Sequence, residues 1–408
     1  MRKGYAFERG VFFMRFVIPL LFVLLILAFL SNRNEQGNQD NLLEILKNEI
    51  FSGNLHAGEQ VVNNPGGEGE REIPFRARFS IYPPDYWQNL GRTPFLGTLN
   101  FINHKSAFAR AEQSLDLAGL AGLSVWGFRV QFDPNWEASA TDALCGFNCG
   151  EYILDKAGYD FEIYYNEQFQ FFNRTEDKQF INREDFSLKL SESRQEGEFI
   201  LAGDIFPQPN YSVLEGVEKA KGKGRKQLNE RNDTGKTGEH FPWVLIKIKS
   251  LESKDISPLY DQSLLLAKQL YETERIVTYS CGRQAITDWI EALENIDTDK
   301  EIDADKMSKA CFCNTWIYEA LLEARLLAGD YLQENISKFS FDQQMIRELI
   351  DLYDRECEIL REGKRDIVPL SESIITDIWR AEMRNEQIKT LKQVAAEEEN
   401  IYKILQGF

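Results

Sequence analysis

The chain has 408 residues, of which 43% are hydrophobic, 12% aromatic and 27% charged. That is the composition of a folded protein rather than a disordered one, and the length exceeds one comfortable core. A formal net charge of −18 argues against nucleic acid as a partner, since phosphate backbones require a clustered cationic face and the longest basic stretch is a short loop.

Apolar residues run without a charge from Phe16 to Leu30. That run alone suits the h-region of an export signal as well as a membrane span. Val11 to Met14 extend it beyond Arg15, whose long side chain can snorkel to the headgroups. Together they reach roughly 20 residues, about 30 Å of helix. Signal peptidase needs small residues at −3 and −1, but after Ala28 the chain offers Phe29, Leu30, Ser31, Asn32 and Arg33. Retention is therefore the preferred reading and cleavage its alternative. Arg2, Lys3, Arg9 and Arg15 precede the span, opposed only by Glu8, while Arg33, Glu35 and Asp40 follow it. The positive-inside rule keeps the N-terminus cytoplasmic and sends the remaining chain outward. A pilin-type leader, with processing at Gly10, fits poorly: Arg15 stands where that class carries Glu at the fifth mature position. Residues 1–33 thus read as a cytoplasmic tip and transmembrane anchor, with the lipid bilayer as first partner.

Residues 34–71 read as a polar stalk, "SNRNEQGNQDN" leading to a short amphipathic stretch from Leu42 to Phe51 and the break "NNPGGEGE". Over residues 72–252 the hydrophobic period is two. Ile73, Phe75, Ala77, Phe79 and Ile81 predict one strand, and Trp126, Phe128, Val130 and Phe132 another. Tyr159, Phe161, Ile163 and Tyr165 predict a third, turning through "NEQ" into "FQFF" as a hairpin. Phe186, Leu188 and Leu190, then "EFILAGDIF", then Val244, Ile246 and Ile248 complete the set, with a Gly-rich polar loop around "GKGRK". Short alternating strands predict an antiparallel, sandwich-like domain.

Over residues 253–408 the period is helical. Leu264, Leu265, Ala267, Leu270 and Tyr271 mark one helix and Ile286, Trp289, Ile290 and Leu293 a second. Ile317, Leu321, Ala324 and Ala328 mark a third; Met345, Leu349, Tyr353, Cys357 and Leu360 mark a fourth. After Pro369, Ser371 can cap a final helix whose stripe, Ile388, Leu391, Ala395, Tyr402 and Leu405, runs near heptad spacing with Glu398 interrupting it. The expected fold class is therefore α+β: a transmembrane helix, a β-sandwich-like domain and a C-terminal helical bundle.

Six cysteines are the main chemical candidates. Beyond a membrane, disulfides are allowed, and Gly146 lets "CGFNC" close a bond between Cys145 and Cys149. A cross-helix staple would join Cys281 or Cys357 to Cys311 or Cys313; alternatively Cys357 is a small buried hydrophobe. Cys281 opens a helix, where the dipole lowers a thiol pKa, but a nucleophile also needs a base and all three histidines, His56, His104 and His240, precede it. "CxxxC" plus "CxC" is no zinc-knuckle pattern. "TGKT" lacks the first glycine of a phosphate loop, Glu230 standing there. The acidic run Asp297 to Asp305 lacks the Gly and Glu of an EF-hand. No cofactor site emerges. Glycosylation sequons begin at Asn173, Asn210, Asn232 and Asn335.

These features predict a membrane-anchored, outward-facing structural or interaction protein, with a protein partner or a second copy held by the last helix unless its stripe packs in the bundle core. The alternatives are an extracytoplasmic hydrolase with its site between the β and helical parts, and a pilin-like or secretion-system assembly component.

Overall fold

The computed structural model describes residues 80–81, 92–104, 115–167, 180–191, 198–204, 210–215, 242–296, 303–370, 373 and 379–408. The anchor residues Arg15, Phe16 and Leu30, the stalk and the "GKGRK" loop lie outside them. No helix among the described residues is long and apolar enough to cross a membrane. All described residues belong to one unit, Arg71–Phe408.

The fold is mixed α+β, with two small sheets and a C-terminal helical region. The larger sheet is built from β1 (Ser80–Ile81), β3 (Tyr159–Asn166), β4 (Phe180–Ile181), β5 (Phe199–Asp204), β6 (Asn210–Glu215) and β7 (Val244–Leu251). Its order is β1-β6-β5-β7-β3-β4, antiparallel except for the short parallel pair β3–β4. The smaller sheet pairs β2 (Gln131–Phe132) with β9 (Tyr279–Cys281), and β9 with β8 (Arg275–Ile276), all antiparallel. Strands β3, β5 and β7 lie where period-two alternation predicts them, because alternate β-branched and aromatic side chains fill a pleated, half-buried surface. The hairpin expected after β3 runs into residues outside those described.

Helices, rather than a second sheet, cover the larger sheet. Val244, Ile246, Ile248, Leu201 and Tyr211 face a core shared with α1 (Pro94–Asn103), α2 (Leu117–Leu123) and α3 (Cys149–Lys156). Ile200, Ala202 and Leu245 on the opposite face bury Phe186 of α4 (Arg183–Ser191). The segment expected as a strand through Phe186 and Leu188 is therefore helical. Phe186 packs on the sheet while Leu188 points outward, 59% exposed. Asn182 supplies the missed signal: its Oδ1 accepts from Asp185 N–H at 2.8 Å, which caps the helix. The strand expected over Trp126–Phe132 opens instead as a 3₁₀ turn, Trp126–Phe128, and strand pairing is confined to Gln131–Phe132.

The helical region comprises α5 (Ser257–Glu272), α6 (Gly282–Asn295), α7 (Ala304–Asn335), α8 (Gln343–Gly363) and α9 (Ala381–Leu405). The central member is α7, 32 residues and so about 48 Å long, capped by Asp303 accepting from Lys306 N–H at 2.9 Å. Trp316, Ile317 and Tyr318 are all buried, so α7 is enclosed on several sides. Gly122 of α2 lets that helix lie against it: a Cβ there would sit 2.0 Å from the Tyr331 ring. The described part of the last helix opens at Ala381 after Arg380, and Ser371, the expected cap, lies outside the described residues. Its stripe is spent inside the bundle: Ile388, Leu391, Val394, Ile401 and Leu405 are all buried. Of the expected stripe, Ile388, Leu391 and Leu405 are buried, whereas Ala395 and Tyr402 are half-buried.

Candidate functional site

The polar groups concentrate where the small sheet, the 138–149 segment and α7 meet. Chain direction dictates the arrangement. After the 3₁₀ turn Trp126–Phe128 the backbone is extended at Arg129, two residues before Gln131 and therefore on the same side of the strand. That side faces a segment folded as a 3₁₀ turn, Ala138–Thr141, followed by irregular chain to α3. Its carbonyls have no ladder partners, so the buried Arg129 supplies them. Nη1 donates to the carbonyls of Cys145 (3.1 Å) and Phe147 (2.8 Å), and Nη2 to those of Thr141 (3.0 Å) and Asp142 (2.9 Å). Gln131 does the same from the next position, donating to Ala140 O at 3.3 Å and accepting from Phe147 N–H at 3.1 Å.

Asp142, 1% exposed, holds the segment through its own side chain. It accepts from Leu144 N–H at 2.8 Å and from the Tyr211 hydroxyl at 2.9 Å and 3.0 Å, tying the segment to β6. Burial, reinforced by the Asp142 charge, holds the Tyr211 phenol well above its usual range, so it stays a donor. The Thr141 hydroxyl accepts from Trp316 Nε1–H at 2.8 Å, and the Thr141 carbonyl from Trp126 Nε1–H at 3.0 Å. Between them lies a cavity of about 30 Å³ lined by Trp126, Arg129, Gln131, Thr141, Trp289 and Leu321. That is room for one water, not for a substrate. The guanidinium is aimed at carbonyls rather than at the outside, and the arrangement acts as a lock between β-sheet and helices.

A second cluster ties the helices together. Arg325 of α7, fully buried, donates from Nε to Glu356 of α8 at 3.1 Å and to Glu398 of α9 at 3.1 Å. Its Nη1 donates to the Gly127 carbonyl at 2.6 Å, its Nη2 binds Glu398 as well, and its guanidinium lies 5.5 Å from the centre of the Tyr353 ring. Two carboxyls therefore share one cation. Burial and the neighbouring Glu398 raise the Glu356 carboxyl well above its ordinary range, against the pull of Arg325, so Glu356 keeps its proton and hydrogen-bonds Glu398. A third tie is neutral: Asn314 of α7 accepts from Trp289 of α6 at 2.9 Å and exchanges hydrogen bonds with Gln387 of α9 at 3.0 Å and 2.8 Å.

At the rim of α7, Arg92 grips Glu319 through its guanidinium and Glu323 through its backbone N–H, and stacks on Trp316 at 4.7 Å. Burial pushes the Glu323 carboxyl up to about 7, although Arg92 pulls it down. A carboxyl raised in the folded state stabilises while it keeps its proton. Its contribution is complete below about pH 4.5 and lost as pH climbs through 7. Glu323→Gln should therefore flatten the decline in Tm between pH 5 and pH 8, recovering on the order of 2 kcal/mol at the upper end. Thermal unfolding of both proteins across that range checks it; parallel curves would contradict it.

No disulfide joins the six cysteines, all of which are buried. Neither the Cys145–Cys149 bond nor the staple to Cys311 and Cys313 is formed. Cys311 and Cys313 sit on α7 in the core with Trp289, and Cys357 packs on α8, each pushed up to about 12 by burial. Cys281 is the residue before α6, yet burial outweighs any dipole effect and pushes it up to about 11. A protonated, enclosed thiol is a poor nucleophile. His104 is exposed at the end of α1, whereas His56 and His240 lie outside the described residues. No group of three or more metal-ligating side chains occurs among the described residues. The Asn335 sequon is closed to glycan, since that amide is buried and donates to the Tyr331 carbonyl at 2.8 Å. Sequence patterns missed Arg129, Asp142 and Arg325 because a buried charge carries no local signature; the interruption of the last helical stripe at Glu398 was the one visible sign. Compared with known proteins, the chain matches no family model and no curated relative.

Proposed function

We propose that this protein is a single-pass, membrane-anchored extracytoplasmic structural or interaction protein, a subunit of a cell-surface assembly. The observation that carries the reading is the uncharged run Phe16–Leu30, preceded by four cations against one anion. The folded unit supports it through the use it makes of its ionisable groups. Arg129, Asp142, Arg325, Glu356 and Glu398 are all buried and spend their hydrogen bonds inside the fold. Glycosidase chemistry needs two carboxyls facing an open cleft, and Glu356 and Glu398, 0% and 1% exposed around Arg325, do not offer it.

The test is protease added outside sealed cells or right-side-out vesicles. The unit Arg71–Phe408 should be digested or shaved from the membrane while the N-terminal tip remains protected. A bulk that resists until detergent is added would overturn the proposal.

A further inference from the structure

Arg129 is a buried cation, 6% exposed, that forms no ion pair with a carboxylate among the described residues. Asp142, whose carbonyl it holds, turns its carboxylate to Leu144 and Tyr211 instead. Carbonyl dipoles spread the charge of a guanidinium without cancelling it, and buried charges are ordinarily paired. A guanidinium has five N–H donors. Nη1 serves the carbonyls of Cys145 and Phe147, and Nη2 those of Ala140, Thr141 and Asp142. The fifth donor, Nε–H, has no acceptor among the described residues, and protein atoms do not seal it in. It therefore opens on the cavity of about 30 Å³ that Arg129 lines.

The walls of that cavity choose its occupant. The α7 side is apolar, formed by Ala320, Leu321 and Ala324. On the other side the acceptors are already engaged. The Ala140 carbonyl accepts from Arg129 and Gln131, and the Thr141 carbonyl from Arg129 and Trp126. The Thr141 hydroxyl accepts from Trp316 while donating to the Ala138 carbonyl, and Gln131 Oε1 accepts from Phe147 N–H. A water here accepts one hydrogen bond and finds its own hydrogens facing engaged acceptors and aliphatic carbon, whereas a buried water ordinarily makes about three. A monatomic anion needs only a donor and a positive charge. We infer that the cavity binds one halide ion, chloride being the common one, held by the Nε–H and the charge of Arg129. Oxyanions such as acetate, phosphate and sulfate carry too many heavy atoms for the room. The ion neutralises the cation that fastens residues 140–147 and wedges it against α7, so it strengthens the lock between sheet and helices. This holds on whichever side of a membrane the chain lies.

The full chain in detergent is melted at constant ionic strength while sodium gluconate, whose anion is too large for the cavity, is replaced stepwise by sodium chloride or sodium bromide. Either halide should raise Tm by about 3 °C along a saturating curve. Ala320→Val, which adds carbon to the cavity from α7, should abolish the rise. Crystals grown in sodium bromide should show anomalous scattering beside Nε of Arg129. Equal Tm in gluconate and halide, a rise kept in full by Ala320→Val, or bromide crystals with only a water beside that nitrogen would overturn the inference. The bromide crystals of the unmodified chain decide the site even if Ala320→Val fails to fold.

Discussion

Replacing Arg325 by Met is expected to cost about 4 kcal/mol at pH 7.5, a large fraction of the roughly 5–15 kcal/mol that holds a folded domain together. The side chain has no contact with solvent, and neither do the carboxyls it serves. Removing it leaves Glu398 buried without its cation and the Gly127 carbonyl without its donor. Most of the cost comes from the stranded charge rather than the lost attraction, which makes the effect conditional in two checkable ways. Lowering the pH lets the one stranded carboxylate take up a proton, so the variant should recover part of its deficit near pH 5. Adding Glu398→Gln and Glu356→Gln to Arg325→Met should restore more, since well-packed neutral groups can replace a buried ion cluster at little cost. Chemical denaturation of the three proteins at both pH values reads all of this. A single substitution costing under about 1 kcal/mol would mean that water reaches the cluster and that the helices are held by packing alone.

Removing residues 381–408 is expected to unfold the helical region outright. The five buried aliphatic side chains of α9, Ile388, Leu391, Val394, Ile401 and Leu405, are each worth roughly 1.5–3 kcal/mol, together about 7–15 kcal/mol. The same truncation deletes Glu398 and the Gln387 partner of Asn314. The truncated chain should lose helical circular dichroism well beyond the share of the deleted helix and show no cooperative melting transition. A shortened protein that still melts cooperatively, but no longer associates, would instead make α9 a surface for another chain. The distinction matters for function.

Both expectations concern charges and apolar stripes that look ordinary in sequence, and that shows where local pattern stops informing. The 3.6-residue period was enough for α5 to α8, because each buries one broad face, and alternation was enough for β3, β5 and β7. It failed for α2, "LAGLAGL", since a helix buried on all sides has no polar face to set a period. It misled at α4, where three apolar residues two apart suggested a strand but only Phe186 needed a core. The apolar and charged order along residues 1–33 carries its topological reading without any fold, since insertion and orientation depend on hydropathy and flanking cations alone.

Amino-acid order by itself thus determined the mixed α+β character and the kind of most long elements, because those follow from periods measured within a few turns of chain. Only the tertiary structure decided that helices clothe the larger sheet, that Glu398 belongs to a buried triad, and that Arg129 and Gln131 serve the carbonyls of the 140–147 segment. Each of those contacts joins residues far apart along the chain. Their energy comes from desolvating groups that meet only after the chain has closed on itself, so no window along the sequence contains both partners.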